Sequence, residues 1–298
     1  MKKFTGLIAV SLICLAALLL LTAPAFPYPS YSALENTAEF GNLSQTNANL
    51  PQPDFNKAGC GPTALANSLL YLQNAHPGIY GTSLVLDPNN LAATAKMLVG
   101  NPIGTNYLNW TSTDGVYWND YFKGTRNYIE HQAAGKTTYH GEAWAGTGFP
   151  GWVDVHSGYP TWDFLYGALQ KSQAVMINWR DNAYSPIKKH YMSITGISFN
   201  DFNNNGIIDS GEGQITYIDP RDGGVHTTQL WQDTGQSGNP LMLSYANPDP
   251  INYPTWYTGN AQIVMAEAFG PVPLPSTVLL LGSGLLGLAG VGRRLRKS

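Results

Sequence analysis

The sequence has few charged residues and very few cysteines. Charged side chains make up 12% of its 298 residues, well below the roughly one quarter that is usual in soluble domains. Aromatic residues, glycine, asparagine and threonine take their place, a composition typical of bacterial extracellular proteins. Hydrophobic residues still reach 43%, so the chain can build the core of one large domain or two small ones.

The N-terminal residues combine a basic start, an apolar stretch and a small-residue site. Lys2 and Lys3 precede an apolar run from Leu7 to Leu21, and Ala23-Pro24-Ala25 follows it. This order predicts a secretory signal peptide over residues 1–25, removed by signal peptidase during export. A retained membrane anchor is the alternative, although the run is short for a membrane span.

A second apolar stretch, from Val278 to Val291, lies between a proline-bounded segment and a basic C-terminus. Together these features resemble the PEP-CTERM sorting tail of Gram-negative bacteria, with Leu274 where the family has glutamate. The resemblance implies that residues 271–298 anchor the chain transiently in the inner membrane. It also implies that an exosortase recognises the tail, which is usually removed. An ordinary C-terminal anchor held by positive charges is the alternative.

The basic residues are concentrated in these two end segments. Six of the 16 lie there, whereas all 19 acidic residues lie between them, which leaves the domain with a net charge of −9. The six are Lys2, Lys3, Arg293, Arg294, Arg296 and Lys297. Because phosphate binding depends on Lys and Arg, we expect no nucleic acid among the partners.

Apolar periodicity predicts helices in the first part of the chain and strands after them. The predicted helices cover 61–75, 87–99, 121–132 and 161–172, and the predicted strands cover 174–179, 190–199 and 213–219. Residues 26–48 are polar and predict a linker or an irregular strap before a domain at 49–270. Helices followed by an antiparallel sheet indicate an α+β fold.

Removal of the signal peptide would leave Cys60 as the one cysteine, in an oxidising compartment. A lone thiol there indicates intermolecular pairing or a reactive group. Cys60 lies at the predicted start of a helix, where unpaired N–H groups stabilise a thiolate. Its own N–H can also face a developing oxyanion, and Gly59 and Gly61 leave room for a substrate carbonyl. A small buried hydrophobic residue is the alternative role.

A base and an orienting carboxylate are predicted on two neighbouring strands. His190 opens one strand, and Asp219 ends the next, where a carboxylate can hold the imidazole in one tautomer. The register decides the pairing. A hairpin centred on residues 204 and 205 places Asp219 opposite His190. A hairpin centred on 206 and 207 makes Asp222 the rival, unless a bulge corrects the register.

Three further histidines lie in the irregular middle of the chain, close in sequence to two carboxylates. They are His131, His140 and His156, with Glu142 and Asp154. Their spacings match no standard metal-ligand pattern, so a metal cluster is the weaker interpretation.

Four segments in this order resemble the papain-like cysteine peptidases, above all the bacteriocin-processing type that cleaves double-glycine leaders. They are "GCGPTALA", "TWDFLYGALQKSQAVMINW", "HYMSITGI" and "ITYIDP". The likeness covers residues 52–223. It implies a papain-like fold, in which an N-terminal helix carrying the cysteine packs on an antiparallel sheet carrying His and Asp.

The same resemblance implies a role for each candidate residue. Cys60 would be the nucleophile, His190 the general base and acid, and Asp219 the orienting carboxylate. A glutamine shortly before the cysteine would complete the oxyanion hole with its side-chain amide. Gln52 fits that position, and Asn56 is the alternative.

The segment "DFNNNGIIDSGE", residues 201–212, matches the twelve-residue calcium loop of EF-hands. The predicted ligands are Asp201, Asn203, Asn205, the Ile207 carbonyl, Asp209 and Glu212. An Asn-Gly hairpin turn is the alternative. Because strands flank the loop, we expect a structural Ca²⁺ ion that stabilises the hairpin carrying His190 and Asp219.

Two functions follow from these residues. The first is a secreted cysteine peptidase, performing amide hydrolysis or acyl transfer on a peptide or protein substrate. The second is a non-catalytic papain-fold surface or matrix protein, which binds glycan or peptide in an exopolysaccharide-associated cell envelope. The first predicts a thiol pKa that depends on His190. In both cases we expect the chain at the periplasm, outer surface or extracellular matrix.

Overall fold

The computed structural model describes residues 29–100, 104–144, 154–181, 189–248 and 258–273. The predicted signal peptide and nearly all of the predicted sorting tail lie outside these ranges. The helices are α1 (Asp54–Ala58), α2 (Cys60–Ala75), α3 (Pro77–Tyr80), α4 (Leu91–Leu98), α5 (Trp118–Ala133) and α6 (Trp162–Leu169). The strands are β1 (Ser30–Leu34), β2 (Thr137–Ala143), β3 (Asp154–Ser157), β4 (Ala174–Arg180), β5 (Lys189–Asn200), β6 (Gly213–Ile218), β7 (Val225–Gln232), β8 (Leu241–Tyr245) and β9 (Gly259–Pro271).

The predicted papain-like α+β fold is wrong, because the sheet closes into a barrel. Strands β4 to β9 form a six-stranded antiparallel barrel in which β9 pairs with β8 on one side and with β4 on the other. Strand β1 extends the sheet from β5, and β2 with β3 extends it from β9. Few helices accompany this barrel, and they do not cover an open sheet.

Closure depends on β7, β8 and β9, three strands that apolar periodicity did not predict. Strand β9 is 13 residues long, so its first residues can pair with β8 while later residues pair with β4 and β2. A register shift between Asn178 and Trp179 in β4, and another between Ile194 and Gly196 in β5, accompany the closure. Such bulges bend strands and help a sheet to close.

Two apolar clusters hold the domain together, and β4 contributes to both. One draws on all six barrel strands and includes Val175 and Ile177. The other lies between the barrel and α2 and includes Ala174 and Met176. Burial on both faces explains the unbroken apolar run of β4. Helix α2 is buried along nearly its whole length against β4, β5 and α4, which fixes the position of its first residue, Cys60.

The polar segment before the helices is part of the folded domain. Strand β1 pairs with β5 from Ser30 to Leu34, and Phe40, Leu43 and Leu50 are buried in the core. We call residues 41–50 the strap. It is held to α2 by two hydrogen bonds between the Asn67 side chain and the backbone of Leu43, at 2.9 and 3.1 Å.

Candidate active site

Cys60 is the first residue of α2 and is half-buried. The residue before it must be glycine, since a Cβ atom on Gly59 would lie 2.5 Å from the carbonyl oxygen of Phe55. The glycine therefore serves packing against α1. A helix N-terminus leaves its first N–H groups without intrahelical acceptors, and the Cys60 thiol lies at such an end.

His190 and Asp219 form a fully buried pair at the barrel end where β5 begins and β6 ends. The distance between His190 Nε2 and Asp219 Oδ1 is 2.7 Å, and neither side chain is exposed. Asp219 also accepts hydrogen bonds from the Tyr245 hydroxyl at 2.7 Å and from the Arg221 backbone N–H at 2.8 Å. Three donors thus surround one buried carboxylate.

Asp219, and not Asp222, meets the imidazole. Pairing of β5 with β6 ends at Ser193 and Ile218, and the chain turns directly after it, with the Gly223 N–H donating to the Asp219 carbonyl at 2.7 Å. Asp222 instead contacts His226 at 3.0 Å. Between the two carboxylates that the sequence left open, the structure therefore brings Asp219 to His190.

The His190 imidazole is close enough to the Cys60 thiol to lower the pKa of that thiol. Nε2 of the imidazole faces Asp219, so Nδ1 is the nitrogen that could act on the thiol. The ring of Trp179 packs edge-on against the imidazole, with centroids 5.7 Å apart, and the Tyr245 ring does so at 5.9 Å. These aromatic rings shield the His–Asp pair from water.

The charges at this cluster support one another. Burial raises the pKa of the Cys60 thiol, but the hydrogen bond and charge of His190, the Tyr191 backbone N–H and Arg221 outweigh it and lower the pKa below its ordinary value. Burial lowers the pKa of His190, whereas Asp219 and Cys60 raise it to about 9. Burial raises the pKa of Asp219, but the charge and hydrogen bond of His190 outweigh this effect, so the pKa of Asp219 is lowered. These shifts favour the thiolate form of Cys60 and the imidazolium form of His190.

Gln52 is not brought to this cluster. Its amide Nε2 donates to the carbonyl oxygens of Gln45 at 2.8 Å and Asn47 at 3.3 Å, and its Oε1 accepts from the Asn56 N–H at 3.2 Å. Asn56 in turn accepts a hydrogen bond at its carbonyl from the Gln45 side chain at 2.8 Å. These bonds join the strap to α1, just before Cys60.

Three residues of the site were missed by sequence reasoning. Tyr245 and Trp179 surround the imidazole, and Arg221 supplies a backbone donor to Asp219 and a nearby positive charge. Trp179 ends the predicted strand at 174–179, which is a local signal. Tyr245 lies on β8, a strand that the sequence did not predict, so no local pattern pointed to it.

The other histidine group is exposed. His140 Nδ1 and His156 Nε2 lie 3.1 and 3.4 Å from the two oxygens of Asp154. Among the residues that the structure describes, no group of three or more His, Cys, Asp or Glu side chains is arranged to hold a metal ion.

The predicted calcium loop connects β5 to β6 at the opposite end of the barrel from His190. Its carboxylates accept backbone hydrogen bonds: Asp201 from Gly206 N–H at 2.9 Å, and Glu212 from Phe202 and Asp209 N–H at 2.9 Å each. Asp201 and Glu212 are only 4% and 8% exposed. Within the described ranges, no Lys or Arg forms a salt bridge with the loop.

Comparison with known protein families finds a sorting motif at the C-terminal end of the chain. A family model described as the PEP-CTERM protein-sorting motif matches residues 271–297. The match begins at Pro271, the last residue of β9. It indicates an exported protein of Gram-negative type, which an exosortase recognises and processes at the membrane. The chain matches no curated protein, and none of the described helices is long and apolar enough to cross a membrane.

Proposed function

We propose that this protein is an exported cysteine hydrolase that cleaves or transfers an acyl group through Cys60, His190 and Asp219. The observation that carries the proposal is a half-buried cysteine at the start of α2 whose thiol pKa is lowered by His190, an imidazole with Nε2 2.7 Å from a buried carboxylate. The order of the segments around these residues, which resembles that of bacteriocin-processing peptidases, supports a peptide substrate.

Each residue has a defined part in the reaction. The Cys60 thiolate attacks the carbonyl carbon of an amide, and the oxygen gains the negative charge beside the Cys60 N–H. The carbon–nitrogen bond then breaks as the His190 imidazolium donates its proton to the leaving amine, which leaves a thioester on Cys60. Water attacks the thioester while neutral His190 accepts its proton. A carboxylic acid is released, and the thiolate of Cys60 and the imidazolium of His190 are regenerated. In acyl transfer, an amine replaces this water.

Asp219 acts on His190 and not on the substrate. It holds the proton-bearing Nε2, which leaves Nδ1 to act on the sulfur, and it stabilises the imidazolium in a fully buried site. Tyr245 and the Arg221 N–H keep Asp219 ionised through hydrogen bonds to both of its oxygens. Gln52 would have to give up its bonds to the strap to act as an oxyanion donor, so the proposal relies on the Cys60 N–H.

Trapping of the acyl-enzyme tests the proposal. The purified protein is incubated with a mixed peptide library, and intact mass spectrometry follows both peptide cleavage and a covalent adduct on Cys60. We expect cleavage by the natural chain and none by Cys60→Ala or His190→Ala. Folded protein that forms no adduct and cleaves no peptide would favour the non-catalytic surface or matrix protein that binds glycan or peptide.

We also propose that the loop at residues 201–212 binds a structural Ca²⁺ ion. The support is its match to the twelve-residue calcium loop, with oxygen donors at each ligand position and two nearly buried carboxylates, Asp201 and Glu212. Within the described ranges, no Lys or Arg forms a salt bridge with them. Gly206, with a φ of 71°, makes the sharp turn that such a loop needs. The ten residue steps from His190 to Asn200 separate this loop from the imidazole by about 33 Å, so the ion would act on stability.

Calcium removal tests this second proposal. At a concentration 100 times its dissociation constant, Ca²⁺ would stabilise the fold by about 2.7 kcal/mol, and Tm should fall by several degrees in a chelator. Asp201→Asn should abolish the difference, whereas Asp233→Asn, outside the loop, should preserve it. An equal Tm with Ca²⁺ and with chelator in the natural chain would contradict a calcium site.

A further inference from the structure

A cavity of about 380 Å³ lies between the strap and the start of α4. Its volume is in the range of small-molecule sites. Leu70 contributes to its wall from α2. Since Leu70 is ten residues from Cys60 on the same helix, the cavity lies about 15 Å from the thiol along the helix axis. It is therefore separate from the candidate active site, and we call it the amide cavity.

The lining of the amide cavity is uncharged and rich in asparagine. Asn42, Asn47, Asn49, Asn89 and Asn90 all line it, and none of its described lining residues is Asp, Glu, Lys, Arg or His. A carboxylate or phosphate ligand needs cationic partners, and a cationic ligand needs carboxylates. The chemistry of the wall therefore selects against ionic ligands.

Four of these side-chain amides are uncommitted within the part of the chain that the structure describes. Asn42, Asn49, Asn89 and Asn90 are exposed, and none of their side chains forms a hydrogen bond with another described residue. Asn90 precedes α4 directly but does not cap it. Each amide offers two donors and one acceptor oxygen, so the cavity presents converging groups of both kinds.

The large apolar residues of the wall offer little surface to a ligand. Phe40, Leu43, Leu70 and Leu91 are between 6% and 8% exposed, because they belong to the core beneath the cavity. The exposed apolar residues of the lining are the small Ala38 and Pro88, whereas a ligand with many hydroxyl groups would meet several amide donors and acceptors. The Asn47 Oδ1 accepts the Asn49 N–H at 2.8 Å, which shapes this part of the strap before a ligand arrives.

From this lining we propose that the amide cavity binds a small neutral oligosaccharide. The bound sugar hydroxyls donate to and accept from the amides of Asn42, Asn49, Asn89 and Asn90. This binding is independent of hydrolysis at Cys60, so either proposal can fail without the other.

Saturation-transfer NMR and calorimetry on the full chain test the binding. The probes are cellotriose, laminaritriose and triacetylchitotriose, with trigalacturonate as an anionic comparison. We expect at least one neutral trisaccharide to bind and the anionic one to bind at least tenfold more weakly. The double variant Asn42→Ala/Asn89→Ala should lose at least tenfold in affinity. Asn127→Ala, which removes an exposed asparagine on α5, should retain the natural affinity.

A melting curve for each variant separates loss of binding from loss of fold. Because Asn42 and Asn89 are exposed and make no side-chain hydrogen bonds to described residues, both variants should melt with the natural chain. Three results would each overturn the proposal: no binding of any neutral trisaccharide, unchanged affinity in the double variant, or equal binding of trigalacturonate. If the double variant melts early, Asn49→Ala and Asn90→Ala, tested singly, decide between the outcomes.

Discussion

Two acidic residues, Asp219 and Glu267, are equally buried and yet differ in charge. Both have no exposed surface. Asp219 receives hydrogen bonds from His190, Tyr245 and Arg221, and the net effect lowers its pKa. Glu267, in the middle of β9, has no hydrogen bond within normal geometry to either oxygen among the described residues. Burial raises its pKa well above the ordinary value, although Thr125 opposes the increase slightly.

The difference shows that neighbours, and not depth, decide whether a buried carboxyl group is ionised. Desolvation alone drives a carboxyl to its neutral form, whereas a cation and hydrogen-bond donors keep it charged. Glu267 lies near Tyr121 and Thr125 of α5, and neither of these side chains carries a positive charge. The same depth of burial is therefore compatible with a pKa shift that favours the ionised form of Asp219 and one that favours the neutral form of Glu267.

The substitution Asp219→Asn should have the largest effect. It removes the charge that keeps the buried imidazole protonated, and breaking a buried ion pair costs about 3–5 kcal/mol of folding free energy. The pKa of His190 should fall from about 9, because burial then dominates. Urea denaturation at pH 7 measures the stability, and NMR titration of the imidazole follows the pKa.

The matched substitution is Glu267→Gln, which keeps the shape and removes the acid. If Glu267 is neutral, Glu267→Gln should change stability far less than Asp219→Asn does at pH 7. An equal loss of stability in both variants would erase the contrast between the two carboxyl groups.

Removal of one donor, in Tyr245→Phe, should have an intermediate effect. A hydrogen bond to a charged group contributes about 1.5–3 kcal/mol, and the distance from the Tyr245 hydroxyl to Asp219 Oδ2 is 2.7 Å. We expect a loss in that range and a higher pKa for Asp219. Tyr159→Phe, on a hydroxyl remote from Asp219, is the control in the same denaturation experiment.

The pH dependence of stability should give the smallest but most diagnostic difference. Stability from Asp219, whose pKa is lowered, is present above its unfolded value and is lost as pH falls through the folded one. Stability from His190 is present below its unfolded pKa and is lost as pH rises through about 9.

Glu267 adds a second loss, since a raised pKa means that stability falls as pH rises above the ordinary carboxyl value. In Glu267→Gln this loss should disappear, while the loss near pH 9 from His190 remains. Tm measured against pH in the natural chain and the variant checks this. Identical profiles would mean that Glu267 does not titrate as its surroundings require.

The sequence predicted the contact between His190 and Asp219, which the structure shows, but not the architecture around it. Cys60, His190 and Asp219 could be chosen because few residues of those types occur at helix or strand ends. Barrel closure could not be predicted, since it depends on β9 pairing with both β8 and β4. The direction of the Gln52 side chain depends on hydrogen bonds to the strap, and these form only in the folded chain. Tyr245 was not recognised because it lies on β8, a strand that the sequence did not predict.

The central claim is that His190, held by Asp219, keeps Cys60 partly ionised at neutral pH. Iodoacetamide alkylation of Cys60, measured as a rate against pH, tests it most directly. We expect an inflection well below that of an ordinary thiol in the natural chain, shifted upward in His190→Ala and in Asp219→Asn. An inflection at the ordinary thiol value in all three folded proteins would contradict the account.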